Sequence, residues 1–168
     1  MTDYFSVRMA NGVVTMIDQR RLPAETVYLD YTDPRALADA IRDMVVRGAP
    51  LIGVTAAYGV ALALREHPGD ESLAAAIETL VATRPTAVNL RWAAERMRRN
   101  VAPLPPVERA ARAYAEAAAI AEEDVASCAA IGRHGLGLLG ALALGKGGKP
   151  VNVLTHCNAG WLAVQDWG

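Results

Sequence analysis

The pattern of apolar and polar positions changes along this chain, and each change predicts a different kind of structure. Strand-forming residues flank Asn11-Gly12 in the stretch VRMANGVVTMID. This dipeptide readily takes the two positive φ angles of a type I′ hairpin turn. A third strand is predicted over residues 25–32, where β-branched and aromatic residues recur. Residues 1–32 are therefore predicted to form a three-stranded antiparallel sheet.

Helical spacing follows from Thr32 onward, with Thr32 or Asp33 as the cap of a first helix. The apolar face predicted for that helix comprises Leu37, Ile41, Met44 and Val45. A second helix, from Pro50 to about Glu66, is apolar nearly all round and should form the buried centre of the domain. The stretches ESLAAAIETLVAT and AVNLRWAAERMRRNV predict two more helices. An alanine-rich stretch over residues 107–144, loosened by glycines, predicts a long fifth helix.

A glycine loop, GKGGKP, then leads to the short apolar run VNVLTH, which predicts a strand. A long helix, a glycine loop and an apolar strand are typical of the start of a parallel α/β layer. Because one parallel strand leaves its backbone groups unpaired, we expect residues 145–168 to begin a second domain whose remainder is absent. The predicted fold is thus an α+β domain with a sheet (1–32), a helical part with a long connecting helix (33–144), and this first strand.

Composition narrows the class of protein. Hydrophobic residues make up 52% of the chain and aromatic residues only 5%, which favours closely packed helices. The net charge is −1 and neither half is strongly basic, which argues against nucleic acid as a partner. No targeting signal is evident at the N-terminus. The longest apolar run covers residues 51–64 and is too short to span a bilayer, so we expect a cytoplasmic protein with no membrane partner.

Cys157 is a candidate for chemistry because it directly follows the last predicted strand, where α/β folds place groups that face ligands. A thiol there can act as nucleophile or base if its surroundings lower its pKa. The alternative is an inert cysteine, since free cysteine is often simply buried. Cys128, inside the alanine-rich helix, is predicted to be a core residue. No spacing of histidines and cysteines predicts a metal site.

Two breaks between helices each carry an arginine. In RGAP, Gly48 allows close backbone approach, the first-turn amides of the following helix are unpaired, and Arg47 adds positive charge, which together suit a phosphate. The alternative is an ordinary linker with a capping glycine. In RPTAVNL, Arg84 precedes Thr86, a predicted N-cap. Ordinary capping is again the alternative to phosphate binding.

The motifs IDQRRLP, MVVRGAPLIGVTAAYG, RPTAVNLRWA, IGRHG and VLTHCNAG occur in this order. Together they resemble the family of 5-methylthioribose-1-phosphate isomerase, ribose-1,5-bisphosphate isomerase and the regulatory subunits of translation initiation factor 2B. The resemblance covers nearly the whole chain and favours the methylthioribose-phosphate isomerases. It implies a second, Rossmann-like domain, an active site between the two domains, and homodimers.

By this resemblance, Cys157 is a catalytic residue, while Arg47, Gly48, Ala49 and Arg84 bind substrate. The implied reaction converts 5-methylthioribose 1-phosphate to 5-methylthioribulose 1-phosphate in methionine salvage, with no cofactor and no metal. The family's general-acid aspartate belongs to the second domain and has no counterpart here, unless the C-terminal half is a separate fragment. Two alternatives remain: isomerisation of a related sugar such as ribose 1,5-bisphosphate, or a non-catalytic binding or assembly module.

Overall fold

A small antiparallel sheet opens the fold. The computed structural model describes residues 4–168, so the first three residues of the predicted sheet region lie outside it. Strands β1 (Val7–Ala10), β2 (Val13–Ile17) and β3 (Tyr28–Tyr31) pair in the order β1-β2-β3, each antiparallel to its neighbour. Asn11 and Gly12 have φ angles of 52° and 75°, as a type I′ turn requires. The predicted hairpin and third strand are confirmed.

Helix α1 (Pro34–Arg42) begins as predicted and ends earlier than predicted. The Asp33 side chain caps it by accepting a hydrogen bond from the Arg35 amide. Met44 has a φ of 60°, and the amides of Met44 and Val45 donate to the carbonyls of Ile41 and Ala40. These bonds form a Schellman motif, which closes the helix. Met44 is consequently 46% exposed, so its predicted place on the core face is wrong, whereas Val45 is buried beyond the turn.

Helix α2 (Ala49–Glu66) is the centre of the domain. Every residue from 51 to 64 is buried, because the other helices and the sheet surround it. Helices α3 (Asp70–Thr83), α4 (Val88–Val101) and α1 pack against it, together with the first part of α5 (Pro106–Gly145). The predicted buried central helix and the helices around it are confirmed.

Helix α5 is continuous over 40 residues, and its two halves have different surroundings. Ala113, Ala117 and Ile120 pack into the core. Beyond residue 130 the helix projects from the domain, and Leu138 and Leu144 are 72% and 87% exposed. By length and composition α5 is apolar enough to cross a membrane, and its most apolar stretch is not buried in the domain; one such helix is weak evidence of a membrane span.

The predicted strand over residues 151–156 does not form; this stretch has no regular secondary structure. An extended run becomes a strand only when a neighbour accepts and donates its backbone hydrogen bonds. None of the three described strands lies beside it, since they pair only with one another. A short 3₁₀ turn, Trp161–Ala163, follows, and residues 161–165, hereafter the C-terminal segment, return to the body of the domain.

Candidate functional site

Residues 47–49, hereafter the Arg47 turn, lead directly into α2. Gly48 is the N-cap residue, with a φ of 102° and a ψ of 133°, and no side chain caps the helix. A side chain at Gly48 would be strained in this conformation, which explains the glycine of the RGA triplet. Arg47 and Ala49 are exposed. Within the part of the chain that the structure describes, no hydrogen bond or ion pair engages the Arg47 guanidinium, and the first-turn amides of α2 remain available to an anion.

Gly48 is also where the C-terminal segment touches the Arg47 turn. A Cβ built on Gly48 would lie 2.3 Å from the Ala163 Cα and 2.7 Å from its carbonyl oxygen. Such distances leave no room for any side chain. The closest approach between the two segments therefore depends on a bare backbone at Gly48. This contact anchors the chain six residues beyond Cys157, after the loop that carries the cysteine.

Several hydrogen bonds hold the C-terminal segment in place. The Ser6 hydroxyl donates to the Trp161 carbonyl at 3.1 Å, and the Gln165 side chain donates to the Val7 carbonyl at 2.6 Å. The Asp124 carboxylate of α5 accepts from the Gln165 backbone amide at 2.6 Å. The segment is thus attached to both the sheet and α5. An attachment to two separate elements fixes its position relative to α2.

Cys157 itself lies in an irregular loop and not at the end of a strand. The loop of residues 155–160 has bends, and Cys157 has a φ of 67° and is exposed. Positive φ is uncommon for residues other than glycine and is enriched near functional sites. The thiol is accessible to a small molecule from solvent. The predicted buried alternative does not describe this cysteine.

Arg84 is the C-cap residue of α3 and lies just before α4. It is half-buried, and its carbonyl accepts a hydrogen bond from the Ala87 amide at 2.9 Å. The N-cap of α4 is Ala87, without any side-chain cap, so the prediction that Thr86 caps this helix is wrong. The break is one residue longer than the TAVNL pattern indicated, and the N-terminal amides of α4 are left open.

The N-termini of α2 and α4 lie side by side. A Cβ on Gly53 would lie 3.0 Å from the Asn89 carbonyl oxygen, so the first turn of α4 packs closely against the second turn of α2. An open groove of about 580 Å³ runs along this junction. Its lining includes Pro50, Val88, Trp92, Asp124, Cys128 and Val164. The groove is lined by residues from both helix starts, and Val164 joins them from the C-terminal segment, whereas Arg47, Arg84 and Cys157 are not among its lining residues.

Two groups on α5 in this groove were not predicted from the sequence as site features. Burial raises the pKa of the Asp124 carboxyl, and the backbone amide of Gln165 partly offsets that effect. Burial, with Asp124 nearby, also raises the pKa of the Cys128 thiol. Cys128 is half-buried in the groove wall, so its predicted place in the core is wrong. Helical periodicity locates such residues on a helix face but does not reveal what that face meets.

The IDQRRLP stretch is a structured corner beside the Arg47 turn. Arg20 donates two hydrogen bonds to the buried Asp18 carboxylate, each 2.8 Å, and these bonds hold the pKa of Asp18 below its usual value. Gln19, between them, turns inward and is 5% exposed. Polar residues directly after a strand were the available signal for this corner, but the sequence did not show which of them faces inward.

The arrangement of sheet, buried central helix and long α5 defines an α+β domain in which the start of the central helix has open amides and Cys157 carries an exposed thiol. The model of the Initiation factor 2 subunit family, IF-2B, matches residues 45–165. The chain belongs to this family, and the match spans the Arg47 turn, Arg84 and Cys157.

Several relatives of this chain carry the name of one enzyme. The chain is 59% identical, over 94% of its length, to a methylthioribose-1-phosphate isomerase of Rhodospirillum rubrum. It covers 42% of that relative, so the chain spans less than half the length of the isomerase it matches. The crystal structure of 5-methylthioribose 1-phosphate isomerase from Pyrococcus horikoshii aligns with a TM-score of 0.83 and 36% identity, over 99% of this chain and 47% of that one.

The fold is shared with a translation factor. The structure of translation initiation factor eIF-2B, subunit delta, from A. fulgidus aligns with a TM-score of 0.81 and 36% identity, over 99% of this chain and 48% of that one. The predicted α+β architecture and the predicted family are confirmed by these comparisons. The roles of Cys157, Arg47, Gly48, Ala49 and Arg84 stay predictions.

Proposed function

We propose that this chain contributes the Cys157-bearing part of an aldose–ketose isomerase that converts 5-methylthioribose 1-phosphate to 5-methylthioribulose 1-phosphate. The observation that carries the proposal is the contact between Gly48 and Ala163, which joins the Arg47 turn to the segment that follows the Cys157 loop. The similarity to methylthioribose-1-phosphate isomerases supports the choice of substrate.

The substrate chemistry explains why these groups are needed. Phosphate on the anomeric oxygen prevents spontaneous opening of the sugar ring. In the reaction the bond between C1 and the ring oxygen breaks and the ring oxygen takes a proton. The hydrogen on C2 is transferred to C1, and the C2 hydroxyl loses its proton to become a carbonyl, which balances the proton taken up by the ring oxygen. The substrate is neither oxidised nor reduced overall, so no external oxidant is required.

Each residue has a distinct role in this proposal. Arg47 and the open amides at the start of α2 hold the phosphate, with Gly48 and Ala49 giving close backbone approach. Arg84 adds a second cation beside the start of α4. Cys157 faces C2 and acts as the base that removes its hydrogen. No metal or cofactor takes part. We extend the proposal to a cytoplasmic homodimer, as the family resemblance implies.

The decisive experiment measures substrate protection of the thiol. Residues 1–168 are alkylated with iodoacetamide, and modification of Cys157 is followed by peptide mass spectrometry with increasing 5-methylthioribose 1-phosphate. Arg47→Met should weaken protection by about 10- to 100-fold, since a charge-assisted hydrogen bond contributes about 1.5–3 kcal/mol. Arg133→Met, on the projecting part of α5, is the matched control and should leave protection unchanged.

Turnover is tested on the complete polypeptide. Cys157→Ser should lower kcat for formation of the ketose by about 10²- to 10⁴-fold, the usual contribution of a general base. Ribose 1,5-bisphosphate as a second substrate distinguishes the related isomerase. Protection by neither sugar phosphate would refute the proposal and favour a non-catalytic module.

A further inference from the structure

Gln19 is a buried polar residue with no role in the site as described so far. It lies two residues beyond the end of β2, is 5% exposed, and its backbone amide donates to the Val45 carbonyl at 2.9 Å. That bond ties it to the residue two positions before Arg47. Burial of an amide side chain is costly unless its polar atoms are hydrogen-bonded, so the contacts of Gln19 indicate what it stabilises.

The side-chain nitrogen of Gln19 contacts both the Arg47 turn and the C-terminal segment. It donates to the Leu162 carbonyl at 2.8 Å and, at 3.5 Å, to the Arg47 carbonyl. An amide NH₂ group has two protons, so it can serve both acceptors at once. Ser6 and Gln165 also hold the C-terminal segment, but their side chains bond it to the sheet and not to the Arg47 turn.

The long hydrogen bond to Arg47, at 3.5 Å, also favours one direction of the next amide. The carbonyl of Arg47 and the N–H of Gly48 belong to one planar trans peptide, in which the two groups point in opposite directions. A carbonyl held toward Gln19 therefore directs the Gly48 N–H away from the protein side of the turn. Among the described residues this N–H has no hydrogen-bond acceptor, which leaves it available to an anion.

We propose that Gln19 is a positioning residue that sets the Arg47 turn and the C-terminal segment in register, and that it thereby orients the Gly48 amide toward the sugar phosphate. The binding part of this statement rests on the proposed function, whereas the register between the two segments does not. The unpaired, buried Oε1 of Gln19 is consistent with this role, because the residue gives up one hydrogen bond to keep its NH₂ group on the two carbonyls.

Hydrogen–deuterium exchange on the full 168-residue chain tests the register. Gln19→Met keeps the length of the side chain and removes both donors. Exchange should quicken by about fivefold in peptides covering the C-terminal segment and in those covering residues 45–52, where the amides of Val45 and Ile52 donate hydrogen bonds beside the Arg47 turn, as expected when a net stabilisation of about 1 kcal/mol is lost. Ser6→Ala is the matched control: it removes one bond to the C-terminal segment and should quicken exchange there only.

Gln19→Glu adds a readout that a purely structural role would not alter. At neutral pH its carboxylate faces two carbonyl oxygens and should weaken protection of Cys157 by 5-methylthioribose 1-phosphate. As the pH falls the carboxyl gains a proton, recovers one donor, and protection should partly return. The same acidification should not improve protection in Gln19→Met.

The inference and the proposed function fail separately. If exchange of the hydrogen-bonded amides beside the Arg47 turn, those of Val45 and Ile52, is the same in Gln19→Met as in wild type, the bridging role is refuted, with or without a ligand. If wild-type Cys157 is not protected by the sugar phosphate, the proposed function is refuted, and faster exchange in both segments would still support the register role.

Discussion

Replacement of Gly48 by alanine tests the closest contact in the candidate site. Alanine at a φ of 102° and ψ of 133° takes a conformation that costs about 1–3 kcal/mol. Its Cβ would also lie 2.6 Å from the Cβ of Ala163, and overpacking of this kind costs a further 1–3 kcal/mol or so. If nothing moved, the free energy of unfolding would fall by about 2–6 kcal/mol.

Release of the C-terminal segment limits that loss. Four hydrogen bonds hold the segment. Ser6 and Gln19 donate to its carbonyls, the Gln165 side chain donates to Val7, and the Asp124 carboxylate accepts from the Gln165 amide. At about 1 kcal/mol each, their loss costs about 4 kcal/mol, so the segment should detach before the strain exceeds this value. We therefore expect Gly48→Ala to destabilise the chain by about 2–4 kcal/mol, which lowers the Tm by roughly 4–16 °C for a domain of this size.

The assay combines thermal unfolding, followed by circular dichroism, with hydrogen exchange of peptides covering residues 161–165. Gly132→Ala is the matched control, because it lies inside α5 with no atom within 4 Å of the added Cβ. Alanine is favoured over glycine in a helix by about 1 kcal/mol, so this variant should show no loss of stability. An unchanged Tm together with unchanged exchange in Gly48→Ala would show that the packing argument is wrong.

Two further predictions concern acid and the exposed part of α5. Because Arg20 lowers the pKa of Asp18 in the folded chain, the stability from this pair is present at neutral pH and lost as the pH falls through that lowered value; Asp18→Asn should flatten the acid side of the stability–pH curve. Burial raises the pKa of Asp124, which contributes in the opposite sense: its stability is greatest in acid and lost as the pH rises through the raised value. Asp124→Asn, which still accepts from the Gln165 amide, should be at least as stable as wild type at pH 7. Urea unfolding across the pH range checks both variants, and the same change in the pH dependence of the unfolding free energy in both would contradict both statements. Large exposed apolar surface promotes association, so glutamine substitutions on the projecting part of α5 should lower the apparent mass measured by light scattering. The positions to substitute are Leu136, Leu138, Leu142 and Leu144. An unchanged apparent mass would refute this prediction.

Local signals in the sequence were enough to predict most elements of the fold. Asn11-Gly12 specifies its turn through the φ preferences of two residues, and the all-apolar α2 can only be a central helix. The end of α1 was mispredicted because Met44 fits the apolar periodicity, whereas the backbone hydrogen bonds of the Schellman motif place it outside. The strand over residues 151–156 failed for a related reason, since pairing depends on a neighbour that no local pattern supplies.

The candidate site was predictable only in part. The RGAP and THCNAG motifs identified which backbone turn and which thiol to examine. Gln19 and Ala163 were not predicted, because their importance lies in contacts between segments far apart in the sequence. Gln19, for example, bonds to Leu162, which lies 143 residues further along the chain. A buried glutamine and a small alanine carry no chemical signature of their own. Such contacts appear only once the chain is folded.

The buried environment of α2 has a consequence for how a ligand would be received. Fourteen successive residues of this helix are enclosed by the rest of the domain, and the Arg47 turn stands directly on its first turn. Any anion that docks there meets amides already immobilised when the chain folded. Its affinity is then not diminished by the entropy of ordering the receptor, and its rate of capture is governed by diffusion and charge.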